Sequence, residues 1–154
     1  MGVNIVRCRL VAIAVVLLVL AIGRVVPADS GKRRAVVDPE REAKRAAGAW
    51  FKALVSGDVD RVMGLSAVPF SWDRKNLLAS RDTLKAAYQQ VVANKGARDL
   101  KPTEISLVDD KEIVAKHYLG KEKGVVTVMI RIEDEGVAVF VRPGKLFKVV
   151  GFSD

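Results

Sequence analysis

From residue 38 onward, apolar positions recur first at helical spacing and then at strand spacing, and the change falls at Lys101-Pro102. Ala43, Ala46, Ala47, Trp50, Leu54 and Val55 define one face of a helix of about 18 residues that closes at Gly57. Asp38 is placed to cap it, Pro39 suits the first helical position, and Glu40 and Glu42 sit against the positive end of its dipole. Asp58 caps a second, shorter helix carrying Val59, Val62, Met63 and Leu65, which Pro69 bars from continuing. Residues 68–78 read as a short hairpin, with Phe70 and Trp72 on one side and a reversal at Asp73-Arg74-Lys75-Asn76. Ser80 caps a third helix with Leu84, Ala87, Tyr88, Val91 and Val92 on its face and Gly96 as its stop.

Beyond Pro102 a period of 2 predicts strands over residues 103–108, 112–119, 125–132, 137–142 and 146–152. The joints are Asp109-Asp110, residues 120–124, residues 133–136 and Pro143-Gly144, and loops this short connect antiparallel neighbours. Helices followed by a meander predict an α+β domain whose N-terminal helices cover one face of a curved, mostly antiparallel sheet. Val125 and Met129 make one side of the 125–132 strand apolar while Val126, Val128, Ile130 and Ile132 make the other so, and residues 137–140 are apolar on both. A sheet covered on a single face alternates more cleanly, so a homodimer through the second sheet face is expected to cover it.

Before residue 38 the pattern is of another kind. Arg7 and Arg9 precede an uncharged apolar run over residues 10–22, and Val26-Pro27-Ala28 offers small residues before Asp29. That order of charge, apolar core and small residues is an export signal cleaved after Ala28. The alternative is an uncleaved membrane anchor; against it, Arg24 limits the uninterrupted run to 13 residues, short of the roughly 20 that a spanning helix needs. Residues 29–37 form a flexible lead and residues 38–154 the folded domain, exported to a periplasmic or extracellular space. Cys8 is the single cysteine, so cleavage leaves a chain with no disulfide, dependent on its core alone.

The formal charge is +8, from 26 Lys and Arg against 18 Asp and Glu; Arg7, Arg9 and Arg24 leave with the signal. The remaining excess gathers at Lys32-Arg33-Arg34 and at Arg41, Lys44, Arg45 and Lys52 on the first helix. Export and the lack of interleaved aromatics exclude a nucleic-acid partner; a solvated face that favours anionic envelope surfaces remains, with membrane contact otherwise only through an uncleaved N-terminus. One histidine without cysteine cannot furnish a dry zinc site. Asp109-Asp110 and Glu133-Asp134-Glu135 read as solvated hairpin tips, and no serine stands beside a base or in an elbow motif, so neither metal nor cofactor is expected.

The phrase Ala47-Gly48-Ala49-Trp50-Phe51-Lys52-Ala53-Leu54-Val55-Ser56-Gly57-Asp58, a helix closing on small-Gly-Asp, together with Phe70-Ser71-Trp72-Asp73 and the terminal strands, resembles the nuclear transport factor 2-like superfamily. That superfamily includes SnoaL-like cyclases, scytalone dehydratase and ketosteroid isomerase, and the resemblance runs from Asp38 to Phe152. It implies a cone-shaped, cystatin-like α+β fold and no single chemistry. Members that isomerise or dehydrate place a tyrosine or aspartic acid as oxyanion donor and a carboxylate or histidine as base in an apolar pocket. Onto this chain the resemblance carries His117 as base, Tyr88 as hydrogen-bond donor and Asp73 at the rim, with Trp50, Phe70 and Trp72 lining a ligand pocket. Strand parity with Ile113, Ala115 and Leu119 puts His117 on the concave face. The first helix lacks the tyrosine that ketosteroid isomerases present there, which favours a non-enzymatic domain holding a small apolar ligand or a protein partner; a lyase or isomerase with His117 as base is the alternative. Intact-mass measurement of the exported protein is expected to give a chain starting at Asp29, and a full-length mass in the membrane fraction would replace the cleaved signal with the anchor.

Overall fold

A computed structural model describes residues 38–94 and 100–154. The predicted signal, its cleavage site, the lead over residues 29–37 and the helix stop at Gly96 lie outside the described residues. The chain divides into two units, and every described helix and strand belongs to the one spanning Ala35–Asp154. Both hydrophobic clusters of this unit draw their residues from between Ala43 and Phe152, so it carries its own core.

Helix α1 is Pro39–Val55, α2 Val59–Leu65 and α3 Arg81–Ala93. All three expected caps form: Asp38 Oδ1 accepts from the Glu40 amide at 3.1 Å, Asp58 Oδ1 from Arg61 at 3.0 Å and Ser80 Oγ from Thr83 at 3.2 Å. Between the helices lie β1, Ser66–Trp72, and β2, Asn76–Leu78, joined by a turn in which Asp73 and Arg74 both adopt positive φ, 45° and 55°. Two consecutive positive φ values give this three-residue turn, Asp73 to Lys75, the twist its antiparallel strands need. Then come β3, Glu104–Val108; β4, Val126–Ile132; β5, Glu135–Arg142; and β6, Lys148–Ser153.

The six strands form one sheet in the order β2-β1-β6-β5-β4-β3. Its pairings are antiparallel except that of β1 with β6, which is parallel and sets Ser71 beside Gly151. Gly151 permits this approach, because a Cβ there would stand 2.7 Å from Ser71 Cβ and 2.8 Å from the Ser71 carbonyl oxygen. Helices α1, α2 and α3 cover one face, where Ala43, Ala47, Trp50, Val62, Phe70, Leu84 and Tyr88 meet Val128, Ile130, Val139, Val141 and Val149. The architecture is thus α+β, helices packed against a six-stranded mixed sheet.

One expected strand is a helix. Residues 112–119 fit a period of 2, yet Lys111–His117 form α4. Asp110, expected in a hairpin tip, caps it by accepting from the Glu112 amide at 2.8 Å, and Glu112 and Lys116 pair one turn apart at 3.0 Å. Ile113 and Val114 are adjacent in sequence, so alternation would send them to opposite faces; in α4 both turn to the same neighbours. Those neighbours are Phe140, Ala138, Val150 and Met129 on the second face of the sheet, with Tyr118 beside them. The apolar parity from which a dimer is expected therefore has a cover within the chain itself. Gly151→Ala is expected to destabilise the fold by about 1–3 kcal/mol, since backbone and not a side-chain tip must yield; chemical denaturation of the variant measures it.

Candidate functional site

The residues singled out from the sequence fall into three places, the helix-covered face of the sheet, its second face and the β1–β2 turn. Trp50, Phe70, Trp72 and Tyr88 do come together on the helix-covered face, joined by Phe152. Tyr88 packs edge-on against Trp50 and Phe70 at 6.4 and 5.9 Å between ring centroids, and Trp72 packs against Phe152 at 5.0 Å. Within this cluster Trp50 Nε1 donates to the Tyr88 hydroxyl at 3.0 Å, the Ser66 and Tyr88 hydroxyls share a bond of 2.8 Å, and Ser66 Oγ reaches the Val62 carbonyl at 2.8 Å. Phe70 and Tyr88 are 0% exposed and Trp50 1%, so these rings fill the core between helices and sheet instead of lining a space. Trp72 alone borders a hollow, a groove of about 300 Å³ shared with Leu78, Ala87 and Val91.

His117 is not brought to them. It ends α4 on the second face, where Nδ1 lies 3.0 Å from the hydroxyl of Ser153, a β6 residue paired with Ala138. The expected concave position depends on a strand over residues 112–119 and is corrected with it. Ser153 is 2% exposed and sits on Nδ1, so the pair reads as one polar group satisfying another and not as an accessible nucleophile with its base. Asp73 lies in the β1–β2 turn, its Oδ2 bonded by Lys75 Nζ at 2.6 Å. The facing carboxyl of Asp154, then Lys75, hold Asp73 below the ordinary carboxylate range, and the same contact pushes Asp154 up. Among the described residues no three His, Cys, Asp or Glu side chains gather as metal ligands.

The more open place lies under α4. Val108, Val114 and Val125 wall a groove of about 460 Å³ between α4, the start of β4 and the loop of residues 118–125. Asp109, Asp110 and Lys111 stand at one rim and Glu122 and Lys123 at the other. Thr127 belongs to its lining, 2% exposed, and its Oγ1 is buried without a partner. Beside it the Tyr118 hydroxyl donates to Glu122 Oε2 at 2.6 Å, and Arg142 Nη1 reaches Glu122 Oε1 at 3.4 Å. Gly120 makes that fold-back feasible, since a Cβ there would overlap the Tyr118 hydroxyl and the Glu122 carboxylate. The Tyr118 ring packs on Phe140 at 5.2 Å, and Leu119 N donates to Ser71 Oγ at 3.0 Å, so this loop is pinned to the sheet.

Sequence reasoning misses Tyr118, Glu122, Arg142 and Thr127. Glu122 and Arg142 stand 20 residues apart with no motif, and a strand reading of residues 112–119 hides Tyr118. Only the lone Thr127 within an otherwise apolar stretch, Val125 to Ile130, offers a signal.

Burial is the main cause that pushes both Tyr88 and Tyr118 well above the ordinary phenol value, with the Glu122 carboxylate adding to it at Tyr118. These are the two tyrosines of the chain. The folded protein is therefore expected to show no tyrosinate absorbance step near pH 10. Because the folded pKa values are raised, the stability they carry is full below about pH 10 and lost as pH rises beyond the unfolded value. A spectrophotometric titration with parallel circular dichroism checks this, ionisation coinciding with unfolding.

No protein-family model and no curated protein matches this chain. Among solved structures it is similar to a candidate dehydratase of the nuclear transport factor 2-like family from Streptomyces avermitilis, with 14% identity over 74% of this chain and 92% of that one, TM-score 0.48. It is also similar to a candidate calcium/calmodulin-dependent protein kinase type II association domain from Thiobacillus denitrificans, 14% identical over 70% of this chain and 89% of that one, TM-score 0.43. A third is a nuclear transport factor 2-like protein of unknown function from Burkholderia xenovorans, 14% identical over 75% and 82% of the two chains, TM-score 0.38. Two of the three carry in their descriptions the superfamily that the sequence resembles; the fold stated for this chain, helices on a six-stranded mixed sheet, rests on its own elements.

Proposed function

We propose that this chain is an exported domain that binds rather than catalyses, and that it holds a small, largely apolar molecule with one hydrogen-bonding group in the groove under α4. Export rests on the charge and hydropathy order of residues 1–28. The observation that carries the binding reading is the Thr127 hydroxyl. An unpartnered buried hydroxyl costs about 1–3 kcal/mol, and a ligand group bonding it at the floor of an apolar groove would recover that cost. The volume of about 460 Å³ lies in the range of small-molecule sites.

Against catalysis stands the separation of the titratable groups. His117 meets Ser153 on one face, while Tyr88 on the other is already bonded to Trp50 and Ser66. A base and an oxyanion donor must converge on one reacting atom, and these two are divided by the sheet. A dimer through the second sheet face has lost its motive where Met129, Ala138, Phe140 and Val150 pack beneath α4 and Tyr118.

Thr127→Val separates ligand use from fold. It is expected to raise stability by about 1 kcal/mol, by removing a buried unpartnered hydroxyl while keeping shape, and to abolish the adduct that native mass spectrometry finds on protein purified without extraction. Wild-type protein free of any adduct and unable to bind an apolar fluorophore saturably would end the ligand reading.

A further inference from the structure

The outward side of α1 and the β5–β6 loop together form a face that the groove under α4 does not use. Arg41, Lys44, Arg45 and Lys52 recur at helical spacing and are all exposed, while Ala43, Ala47 and Trp50 on the other side of the helix are buried. The stripe therefore points away from the sheet. Next to it the loop between β5 and β6 presents Leu146, 70% exposed, where Leu77, Leu119 and Leu100 reach 45%, 39% and 37%. Leu146 lines one hollow with Arg45 and Ala46 and another with Pro39 and Lys145, so the aliphatic tip and the cations share a surface.

The acids on this face are Asp38, Glu40 and Glu42. Glu42 lies 3.8 Å from Arg45, whose side chain remains 79% exposed. Lys148 is already bonded, its ammonium donating to the Gly64 carbonyl. Five cations, Arg41, Lys44, Arg45, Lys52 and Lys145, thus face three carboxylates.

We propose that this face docks on an anionic lipid bilayer, the cations at the headgroups and Leu146 inserted among the upper acyl carbons. A protruding aliphatic residue ringed by lysine and arginine gains both from apolar burial and from the negative surface potential. A nucleic-acid strand would instead use exposed aromatic rings for stacking, and the patch has none, Phe147 being half-buried. Attachment of this kind is peripheral and weakens with salt.

Flotation of the 35–154 unit with vesicles tests the proposal. Binding is expected to vesicles of equal phosphatidylglycerol and phosphatidylcholine, not to phosphatidylcholine alone, and to fall as salt is raised. K44Q/K52Q is expected to weaken binding by about 25-fold, roughly 5-fold for each cation, and Leu146→Ser to weaken it further. These side chains are exposed, so an unchanged circular dichroism melt certifies the fold of each variant. Equal binding to neutral vesicles, no binding to either, or undiminished binding by K44Q/K52Q overturns the proposal. So does retention by a single-stranded oligonucleotide at the same salt without any preference for anionic lipid.

Discussion

The hydroxyl of Tyr88 is the point on which the helical layer depends. It accepts from the Trp50 indole of α1 and shares a bond with Ser66 at the start of β1, while Ser66 in turn reaches back to the Val62 carbonyl of α2. One oxygen from α3 thus fixes the relative height of three other elements against the sheet. In an apolar interior such a network is costly unless complete, and here each member has a partner. Completeness has a second effect: a phenol with its donor and acceptor capacity spent on structure has none left for a substrate. The residue that looks most like chemistry in the sequence is the one the fold can least release.

The second face of the sheet obeys a different constraint. Its apolar residues, Met129, Ala138, Phe140 and Val150, need a lid, and α4 with Tyr118 supplies one from a seven-residue helix. The lid is held by contacts at its ends, Asp110 at the N-cap and Leu119 on Ser71, and its middle leans on Ile113 and Val114. A cover so short leaves the neighbouring end of the sheet open, and the groove with Thr127 lies in that gap.

Most of the architecture is legible because capping residues and periodicity agree. Asp38, Asp58 and Ser80 open their helices as the side-chain chemistry requires, and β4, β5 and β6 keep their expected order and antiparallel pairing. Where legibility fails, two periods fit one short segment. Ile113, Ala115, His117 and Leu119 alternate as a strand would, and nothing local weighs against it except the Asp110 cap and the Glu112-Lys116 spacing. That single error moves His117 through the sheet and with it the whole catalytic hypothesis. The groove is illegible for another reason. Val108, Val114, Val125 and Thr127 come from β3, α4, the loop and β4, and no spacing rule foretells their meeting.

The parallel join of β1 to β6 sets the order of events in time. Ser66 pairs with Val149 and Trp72 with Phe152, strands far apart along the described unit. A chain emerging from its N-terminus can form α1, α2 and α3 early, but β1 has its hairpin partner and nothing else until the last strand arrives. Long-range pairing of this kind is slow to close. The sheet of the described unit therefore closes only once its last strand is present, and until then the second edge of β1 stands free to pair with other chains.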